Sequence, residues 1–509
     1  MVITRPPFPA SGRKREMAVP QSGVSICDLT SEIHKQLLQL EASNDMRVFF
    51  ILVLFSVLST SHGLKAATLD QIPHLKSLPD STIALQKLID DQDGNLQLGN
   101  DDVLRITQPL VFDLAKHKAV TVKATDGVTI VMDGPGPALR FLGSHQGTAS
   151  PGSFVPATWN ERMPSVSGIE ILGNHAQADG IELVQTVGAI VSGVSVRWCR
   201  HGIHLVIRNR NVVVSDCHLY ENSGVGVYLD DVNLHQINIG TSHISYNRQG
   251  GIVVRDGNVR NLQVSGCDIE GNMPDDATPT SVANILIDVS GSPDTRAQSV
   301  AEIAITGCTI QHSANYGTGE TKIIAPGGAN IRLAGKEIYP IDSVTISGNV
   351  LSDTTTNIDI DYGLDVAISA NNFFAPQPAN LHVSHSQRVV VSGNTFNPRQ
   401  FERPGTIAFE DCEDCIIASS TLHKFSTDAG AVILNRCRGF TINGLNLSDC
   451  GSGFVLTSTT ETTISSCRVT RTTEGSADIS IDNSNKDILL VGNAFGGATK
   501  IATEATDAD

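Results

Sequence analysis

The sequence predicts an all-β protein, a right-handed single-stranded parallel β-helix in which three-strand coils stack into a solenoid behind an N-terminal cap helix. An eleven-residue pattern recurs thirteen times, mostly at intervals of 22 to 27 residues and twice at 41. Apolar and polar residues alternate within it, which is the period of a half-buried strand. Gly is abundant, with 45 residues, whereas aromatic residues make up only 5% of the chain. Thin layers of aliphatic side chains between frequent turns are therefore expected.

The copy at 212–222 reads VVVSDCHLYEN, and those beginning at Ile237 and Leu262 read INIGTSHISYN and LQVSGCDIEGN. Positions six and eight face inward and pair a small residue with an aliphatic one, so Cys217, Cys267 and Cys308 are predicted to be buried packing residues. Position eleven predicts a ladder of asparagines bonded from coil to coil. Its members are Asn174, Asn222, Asn247 and Asn272.

A second short strand follows each copy and opens with Gly or Asn. Examples are 202–205 (GIHL), 226–229 (GVYL) and 284–287 (NILI). Parallel strands joined by tight turns at this spacing fit a β-solenoid, and the Leu-rich consensus of leucine-rich repeats is absent.

The hydrophobic period switches to that of a helix between Ser81 and Asp90. Asp80-Ser81 precedes it as a capping pair, so a cap helix is predicted at 81–90 to cover the open end of the solenoid. Its predicted apolar face consists of Ala84, Leu85, Leu88 and Ile89.

Export is predicted from a signal peptide at 46–63, where Met46-Arg47 precedes an apolar run too short to span a bilayer. The alternative interpretation of this apolar segment is a buried β-strand. Residues 1–45 are interpreted as a disordered, non-native upstream extension. The remaining predicted boundaries are a cap region at 64–119, the β-helix at 120–498 and a flexible acidic tail at 499–509. A secreted or periplasmic protein with no membrane span in the mature chain is expected.

The formal net charge of −17 argues against a nucleic-acid partner, which requires a basic footprint. Of 10 cysteines, Cys27 lies upstream of the signal peptide, so an odd number remains and at least one is unpaired within the chain. Cys412 and Cys415 have CxxC spacing but no second pair at metal-ligand spacing. They are interpreted as residues that flank a turn.

From about residue 80 to 498 the sequence resembles the right-handed parallel β-helix superfamily, which is pectate-lyase-like and includes polygalacturonases, chondroitinase B-like enzymes and alginate epimerases. The resemblance is carried by the cap pattern with Gly94-Asn-Leu-Gln-Leu98, by the Ser-Gly-Asn turns at 347–349 and 392–394, and by the Gly-Ile-x-Leu strands. It implies action on acidic polysaccharides in a groove along one sheet. The epimerase Asp-Pro-His-Asp motif is missing from the strand at 202–207, and the polygalacturonase aspartates are missing as well. A lyase that uses calcium and arginine stays open, although no motif supports calcium, so no cofactor is predicted.

The outward face of the second strand carries the predicted catalytic residues. Elimination from a uronate would use Arg255 to neutralise the carboxylate, and His204 or Tyr228 as the base. Hydrolysis would instead use Asp230 and Asp288, two coils and about 9.6 Å apart. The structural alternative is a solvated salt-bridge ladder.

Three further sets of residues are weighed against the same alternative. His218, His243 and Asp268 follow one another on successive coils and are weak candidates for a metal site or for acid–base chemistry. A strip of basic residues, each just before one of three successive repeat copies, is predicted to bind the glycan together with two further side chains. This binding set consists of Arg210, His235, Arg260, Arg332 and Tyr220. Long loops at 273–283, 291–300 and 314–328 are expected to wall the second strand's face.

The sequence therefore predicts an exported polysaccharide lyase or glycoside hydrolase whose partner is a polysaccharide. The alternative is a non-catalytic β-helix that binds glycan or serves at the cell surface in structure or adhesion. Neither the substrate nor the oligomeric state follows from the sequence.

Overall fold

The computed structural model describes residues 78–501, apart from several short gaps. The gaps are 100–101, 126, 148–151, 153–154, 275, 277, 295–298, 313–324, 376–377, 399–403, 426–428, 471–475 and 497. The predicted extension and signal peptide, residues 1–63, lie outside the described residues. Within the described part, no helix is both long enough and apolar enough to cross a membrane.

The chain forms a right-handed parallel β-solenoid, in which each coil adds strands to three parallel stacks. The first stack contains β1 (Leu96–Leu98), β4 (Thr121–Ala124), β7 (Ser165–Ser167), β10 (Ile190–Ser192), the second half of β12 (Ile203–Ser215) and of β14 (Val227–Gly240), β17 (Asn258–Ser265), β20 (Ser299–Thr306), β23 (Ile341–Ser347), β26 (Gly363–Ser369), β29 (Gln387–Ser392), β32 (Ile416–Ala418), β35 (Thr441–Asn443), β38 (Thr460–Ser465) and β41 (Lys486–Val491).

The second stack contains β2 (Val103–Ile106), β5 (Thr129–Met132), β8 (Glu170–Gly173), β11 (Ser195–Arg197), β13 (His218–Tyr220), β15 (His243–Ser245), β18 (Asp268–Glu270), β21 (Thr309–Gln311), β24 (Val350–Ser352), β27 (Asn372–Phe374), β30 (Thr395–Asn397), β33 (Thr421–His423), β36 (Asn446–Ser448), β39 (Arg468–Thr470) and β42 (Ala494–Phe495).

The third stack contains β3 (Leu110–Asp113), β6 (Gly136–Leu142), β9 (Ala178–Val187), the first half of β12 and of β14, β16 (Ile252–Arg255), β19 (Ala283–Asp288), β22 (Ala329–Ala334), β25 (Thr356–Asp361), β28 (Ala379–Ser384), β31 (Thr406–Glu410), β34 (Val432–Asn435), β37 (Phe454–Thr457), β40 (Ala477–Ile481) and β43 (Ala498–Ile501). The long strands β12 and β14 run through the bend between the third and first stacks. The last strand, β43, reaches three residues into the segment expected to be a tail.

The core is a set of apolar ladders. Strand register places Val214, Ile239 and Val264 in line, all buried, and the same alternation continues along the solenoid. One continuous hydrophobic cluster extends from Leu85 to Ile488. Burial of apolar surface contributes about 25 cal/mol per Å², so these stacked layers supply most of the driving force for the fold.

The eleven-residue repeat contains two strands, because its fifth residue is a turn in the left-handed backbone region. Asp216 has φ 56° there, and Thr241, Gly266 and Gly307 have φ 47°, 60° and 64°. Gly and Asp are among the residues that adopt this conformation at the lowest cost, which explains why they recur at this position.

The asparagine ladder is confirmed for three of its four predicted members, which are buried. Asn222 Nδ2 donates to Asn247 Oδ1 at 2.8 Å, and Asn247 Nδ2 donates to Asn272 Oδ1 at 2.7 Å. Asn174 does not join, because its amide donates to Asp133. The ladder instead continues through Asn284, Asn330, Asn357 and Asn380.

The N-terminal helix α1 (Thr82–Asp91) is consistent with a cap. Its start differs from the prediction, because the Ser81 side chain makes no capping bond and Asp80 Oδ1 accepts from the Thr82 amide at 3.0 Å. Leu85 and Ile89 are buried, whereas Ala84 is exposed because it lies at the edge of the apolar face. The short helix α2 (Leu114–His117) and a 3₁₀ turn (Pro156–Glu161) follow.

All nine cysteines in the described residues are free and buried. The prediction that Cys217, Cys267 and Cys308 are packing residues is therefore confirmed. Cys412 and Cys415 are also buried and lie on either side of the turn between β31 and β32.

Candidate active site

The predicted catalytic residues lie on neighbouring strands of the third stack. Register pairs His204 of β12 with Tyr228 of β14, and Asp230 of β14 with Arg255 of β16. Arg255 is in turn paired with Asp288 of β19. All five side chains alternate with buried core residues, so the pleat directs them outward.

His204, Tyr228 and Asp230 form a compact group. The imidazole of His204 and the ring of Tyr228 are stacked, with centroids 5.1 Å apart and an interplanar angle of 4°. His204 Nε2 lies 3.2 Å from Asp230 Oδ2. The hydrogen bond from His204 holds the pKa of the Asp230 carboxyl below its ordinary value. An ionised Asp230 accepts from Nε2–H, which leaves the lone pair of His204 on Nδ1.

Tyr228 is partly buried beside a small apolar cluster. Burial, followed by the negative charge of Asp230, raises the pKa of Tyr228 to about 12. The hydroxyl therefore keeps its proton at neutral pH and can act as a donor or as a general acid.

Arg255 lies between Asp230 and Asp288 in the strand register, and it forms a hydrogen bond to Asp288. Its Nη1 donates to Asp288 Oδ2 at 2.9 Å, while Asp230 bonds to His204 on the preceding coil. Asp288 also accepts from the amide and hydroxyl of Ser290.

Sequence reasoning missed three residues beside this group, Asp179, Arg200 and His201. The buried carboxylate of Asp179 binds Arg200 through two hydrogen bonds of 2.9 and 2.6 Å and accepts from the backbone amide of His201 at 3.0 Å. The His201 ring centroid lies 5.2 Å from that of His204 and 5.0 Å from that of Tyr228. The signal was the Arg200-His201 pair in the turn that leads into the strand of His204.

A wall closes one side of the group. Val253 and Leu286 point outward from the stack yet are only 1% and 2% exposed. Parts of two long loops meet at this wall, where the Thr280 amide donates to the Pro326 carbonyl oxygen at 2.8 Å. Val253 and Leu286 therefore form an apolar break in the column that contains Tyr228.

Arg332 lies beyond this wall and does not reach the predicted catalytic residues. Its Nε donates to Asp359 Oδ2 at 2.8 Å, and the other oxygen of Asp359 lies 2.8 Å from His382 Nδ1. Arg332 is in the same column as Tyr228, but Val253 and Leu286 fill the two positions between them. The column therefore contains two separate polar clusters.

The remaining predicted residues lie elsewhere on the surface. The rings of His218 and His243 stack at 5.0 Å on the second stack, and His243 Nδ1 lies 3.6 Å from Asp268. In the described residues, no group of three or more His, Cys, Asp or Glu side chains is arranged to hold a metal. Tyr220, also on the second stack, packs under the Arg197 guanidinium at 4.8 Å.

Arg210, His235 and Arg260 are in register at the bend between the third and first stacks. Arg260 lies 3.6 Å from Glu302 and donates to Ser299. Arg210 and His235 lie later in the same strands, β12 and β14, that carry His204 and Tyr228, so this strip is adjacent to the candidate site along the chain but lies at the bend.

Comparison with protein families gave two matches. A model described as a right handed beta helix region matches residues 170–292, and one described as a periplasmic copper-binding protein (NosD) matches residues 302–509. A comparison with curated proteins found no match.

The described residues of the NosD-matched region do not fit a copper site. Copper needs several convergent imidazole, thiolate or thioether donors. His382 and His385 instead contact two different aspartates of the preceding coil. His423 contacts Asp449 of the following coil. The described cysteines of this region are buried in the core, and the region contains no Met.

The chain is also similar to several solved structures. Tailspike protein 3 of bacteriophage CBA120 is 12% identical, with a TM-score of 0.47 over 83% of this chain and 60% of the tailspike, so this chain spans less than two thirds of it. The A-module of the mannuronan C-5 epimerase AlgE6 of Azotobacter vinelandii is 12% identical, with a TM-score of 0.36 over 83% and 97% of the two chains. A GH87 α-1,3-glucanase of Streptomyces thermodiastaticus is 14% identical, with a TM-score of 0.37 over 85% and 68%. The chain thus has the fold of a right-handed parallel β-helix, and its residues 170–292 match the family model of that description.

Proposed function

We propose that the protein is an exported polysaccharide lyase that cleaves an acidic glycan by β-elimination at the His204–Tyr228–Asp230 group. The observation that carries the proposal is the stacked His204–Tyr228 pair, in which Nε2 of His204 is hydrogen-bonded to Asp230. This arrangement combines a base, a protonated acid and a carboxylate that orients the base.

In the proposed reaction, His204 Nδ1 removes the C5 proton of a uronate. The electron pair forms the C4–C5 double bond as the C4–O4 bond breaks, and the Tyr228 hydroxyl protonates the departing oxygen. Arg255 and Arg200 supply positive charge for the substrate carboxylate, on which negative charge accumulates as the proton leaves. Tyr228 regains its proton from solvent, and His204 releases its own.

Hydrolysis is less well supported, because it needs a carboxylic acid whose pKa is raised. The pKa of Asp230 is instead lowered by the hydrogen bond from His204. Asp288 is held in an ion pair with Arg255.

Export is supported by the signal-peptide pattern at 46–63 and by the description of the NosD family as periplasmic. The second candidate function, a glycan-binding or structural β-helix, is favoured by one observation. Many exposed charged residues on later coils pair with one another, as in Arg388–Asp365 and Arg436–Asp411.

The test is to incubate the purified protein with uronate-containing, sulfated and neutral polysaccharides, and to follow both ultraviolet absorbance of the unsaturated product and new reducing ends. A lyase produces both signals on uronate polymers. New reducing ends without absorbance would indicate hydrolysis and overturn the proposal. Saturable binding without either signal would support the binding module instead.

A further inference from the structure

His201 is a nearly buried histidine whose hydrogen bonding fixes its tautomer. Its Nδ1 accepts a hydrogen bond from the backbone amide of Val225 at 3.1 Å. A nitrogen that accepts from an N–H carries no proton of its own, so the proton of the neutral ring is on Nε2. Protonation of Nδ1 would place two N–H groups against each other.

The surroundings of His201 hold the ring in one position. Its backbone amide is bound by Asp179, and the ring packs against Gly224, where an added Cβ would lie only 2.7 Å from Nδ1 and Cε1. The ionisable groups around it are Asp179, Arg200, His204, Tyr228 and Asp230. Burial lowers the pKa of His201 to about 4, and this effect outweighs the opposing charges of Asp179 and Asp230.

The second nitrogen of His201 has no hydrogen-bond partner among the described residues. The ring is 8% exposed, and its centroid lies about equally far from those of His204 and Tyr228. A polar N–H that is mostly buried and unpaired in a site is costly unless a ligand or a water molecule accepts from it. A neutral imidazole held in this way is a suitable donor to an oxygen on which negative charge develops.

We propose that His201 is a fixed, neutral hydrogen-bond donor of the site, and that its Nε2–H binds a carboxylate oxygen of the acidic sugar. This role rests on the proposed function, since it assumes a uronate beside His204 and Tyr228. His201 thus determines specificity: it favours sugars with an acceptor at this position over neutral sugars without a carboxylate.

The first test is nitrogen NMR of the histidine side chains in the intact protein between pH 5 and 8. A single protonated nitrogen on His201, Nε2, is expected at every pH in this range. A doubly protonated ring, or a proton on Nδ1, would overturn the neutral donor.

The second test measures binding of a uronate oligomer and of its carboxyl-reduced, neutral counterpart to His201→Leu and His201→Gln. His201→Leu is expected to weaken binding of the uronate about 10- to 100-fold, and binding of the neutral oligomer by less than threefold, because a hydrogen bond to a charged group is lost. His201→Gln keeps a donor N–H near the Nε2 position and should recover most of the loss. His175→Leu, a change at an exposed histidine in a turn, is the matched control and should bind like the wild type.

The outcomes distinguish the proposed role of His201 from the proposed lyase function. Equal weakening of both oligomers, or uronate binding unchanged in a folded His201→Leu variant that still cleaves substrate, would overturn the role of His201 alone. A wild-type protein that binds no uronate oligomer would overturn the proposed function and the carboxylate ligand together. Circular dichroism and thermal unfolding of each variant identify any that fails to fold, and His201→Gln then decides the question.

Discussion

Two parts of the third stack have the same backbone and a different surface chemistry. In the upstream part, around β12 and β14, His204 pairs with Asp230, but the neighbouring His201 keeps one nitrogen unpaired. In the downstream part, around β25 and β28, His382 pairs with Asp359, which is also bound by Arg332. The upstream part thus has a histidine–aspartate pair beside an unused imidazole donor. The downstream pair is bound by Arg332, whose Nη1 is buried without a hydrogen-bond partner among the described residues.

This difference shows how a repeating fold can hold a site. Each coil repeats the core ladder, and charged side chains in register readily form pairs from coil to coil, as Arg436 does with Asp411. A ligand has little to bind at an exposed ladder such as this one, where the charges are already paired. The candidate site is therefore the part of the face where the ladder is broken by His201, Tyr228 and the wall at Val253.

The largest expected effect is on catalysis. His204→Gln removes the proposed base and should lower kcat about 100- to 1,000-fold, within the range usual for a general base. His382→Gln is the matched control, because it breaks the equivalent histidine–aspartate pair downstream, and it should leave kcat within twofold. Initial rates of product absorbance measure both. An equal loss in the two variants would remove the distinction between the two parts.

The asparagine ladder should stabilise both parts, whereas catalysis should depend on the upstream part alone. The Asn272 side chain takes part in four buried hydrogen bonds, with Asn247, Ile244 and Asn284. Asn272→Ala should therefore lower the free energy of unfolding by about 4 kcal/mol, at about 1 kcal/mol for each bond.

Asn357→Ala, in the downstream part of the same ladder, should lower the free energy of unfolding by about 2 kcal/mol, because the Asn357 side chain takes part in two such bonds. Urea unfolding followed by circular dichroism checks both variants. A large loss in one and none in the other would mean that the ladder does not stabilise the two parts alike.

A smaller effect concerns pH. The pKa of His201 is about 4 in the folded protein, against 6.5 for an ordinary histidine, so the unfolded chain binds more protons between these values. Stability due to this group is thus complete above about pH 6.5 and is lost as the pH falls towards 4. The loss is at most about 3 kcal/mol. Urea unfolding at pH 4.5 and 7 should show a difference that is smaller in His201→Leu than in wild type; an identical difference would contradict a neutral buried His201.

The smallest effect is expected at the exposed ladders. Arg388→Met breaks an ion pair with Asp365 that lies open to solvent. Exposed pairs are screened by water and salt, so the thermal midpoint and kcat should both stay unchanged. A lowered midpoint would mean that the surface ladder, besides the core, holds the coils together.

Much of the fold was predictable, because the same strand pattern recurs many times along the chain. Val214, Ile239 and Val264 occupy one position in successive copies, and a pattern repeated along the chain fixes the register. The place of Asn284 in the ladder was not predicted, because in the sequence Asn284 opens a strand. It accepts a hydrogen bond from Asn272 because a long loop brings it next to that residue. The helix cap was predicted in the right place, but Asp80 rather than Ser81 makes the bond.

The candidate site was only partly predictable. Alternation indicated that His204, Tyr228 and Asp230 face outward, but not which neighbour each would bond. Which neighbours Asp230 and Arg255 bond to depends on side-chain packing, which periodicity does not encode. His201 lies in a turn outside the alternating pattern, and its role arises from the backbone amide of Val225, 24 residues away.

The central claim is that the upstream part of the third stack is a ligand site and the downstream part is not. Hydrogen–deuterium exchange of the protein with and without a uronate oligomer tests this most directly. Slower exchange is predicted in peptides covering 199–206 and 225–231, with no change in those covering 356–361 and 379–385. Slower exchange confined to the downstream peptides, or the same change in both sets, would contradict it.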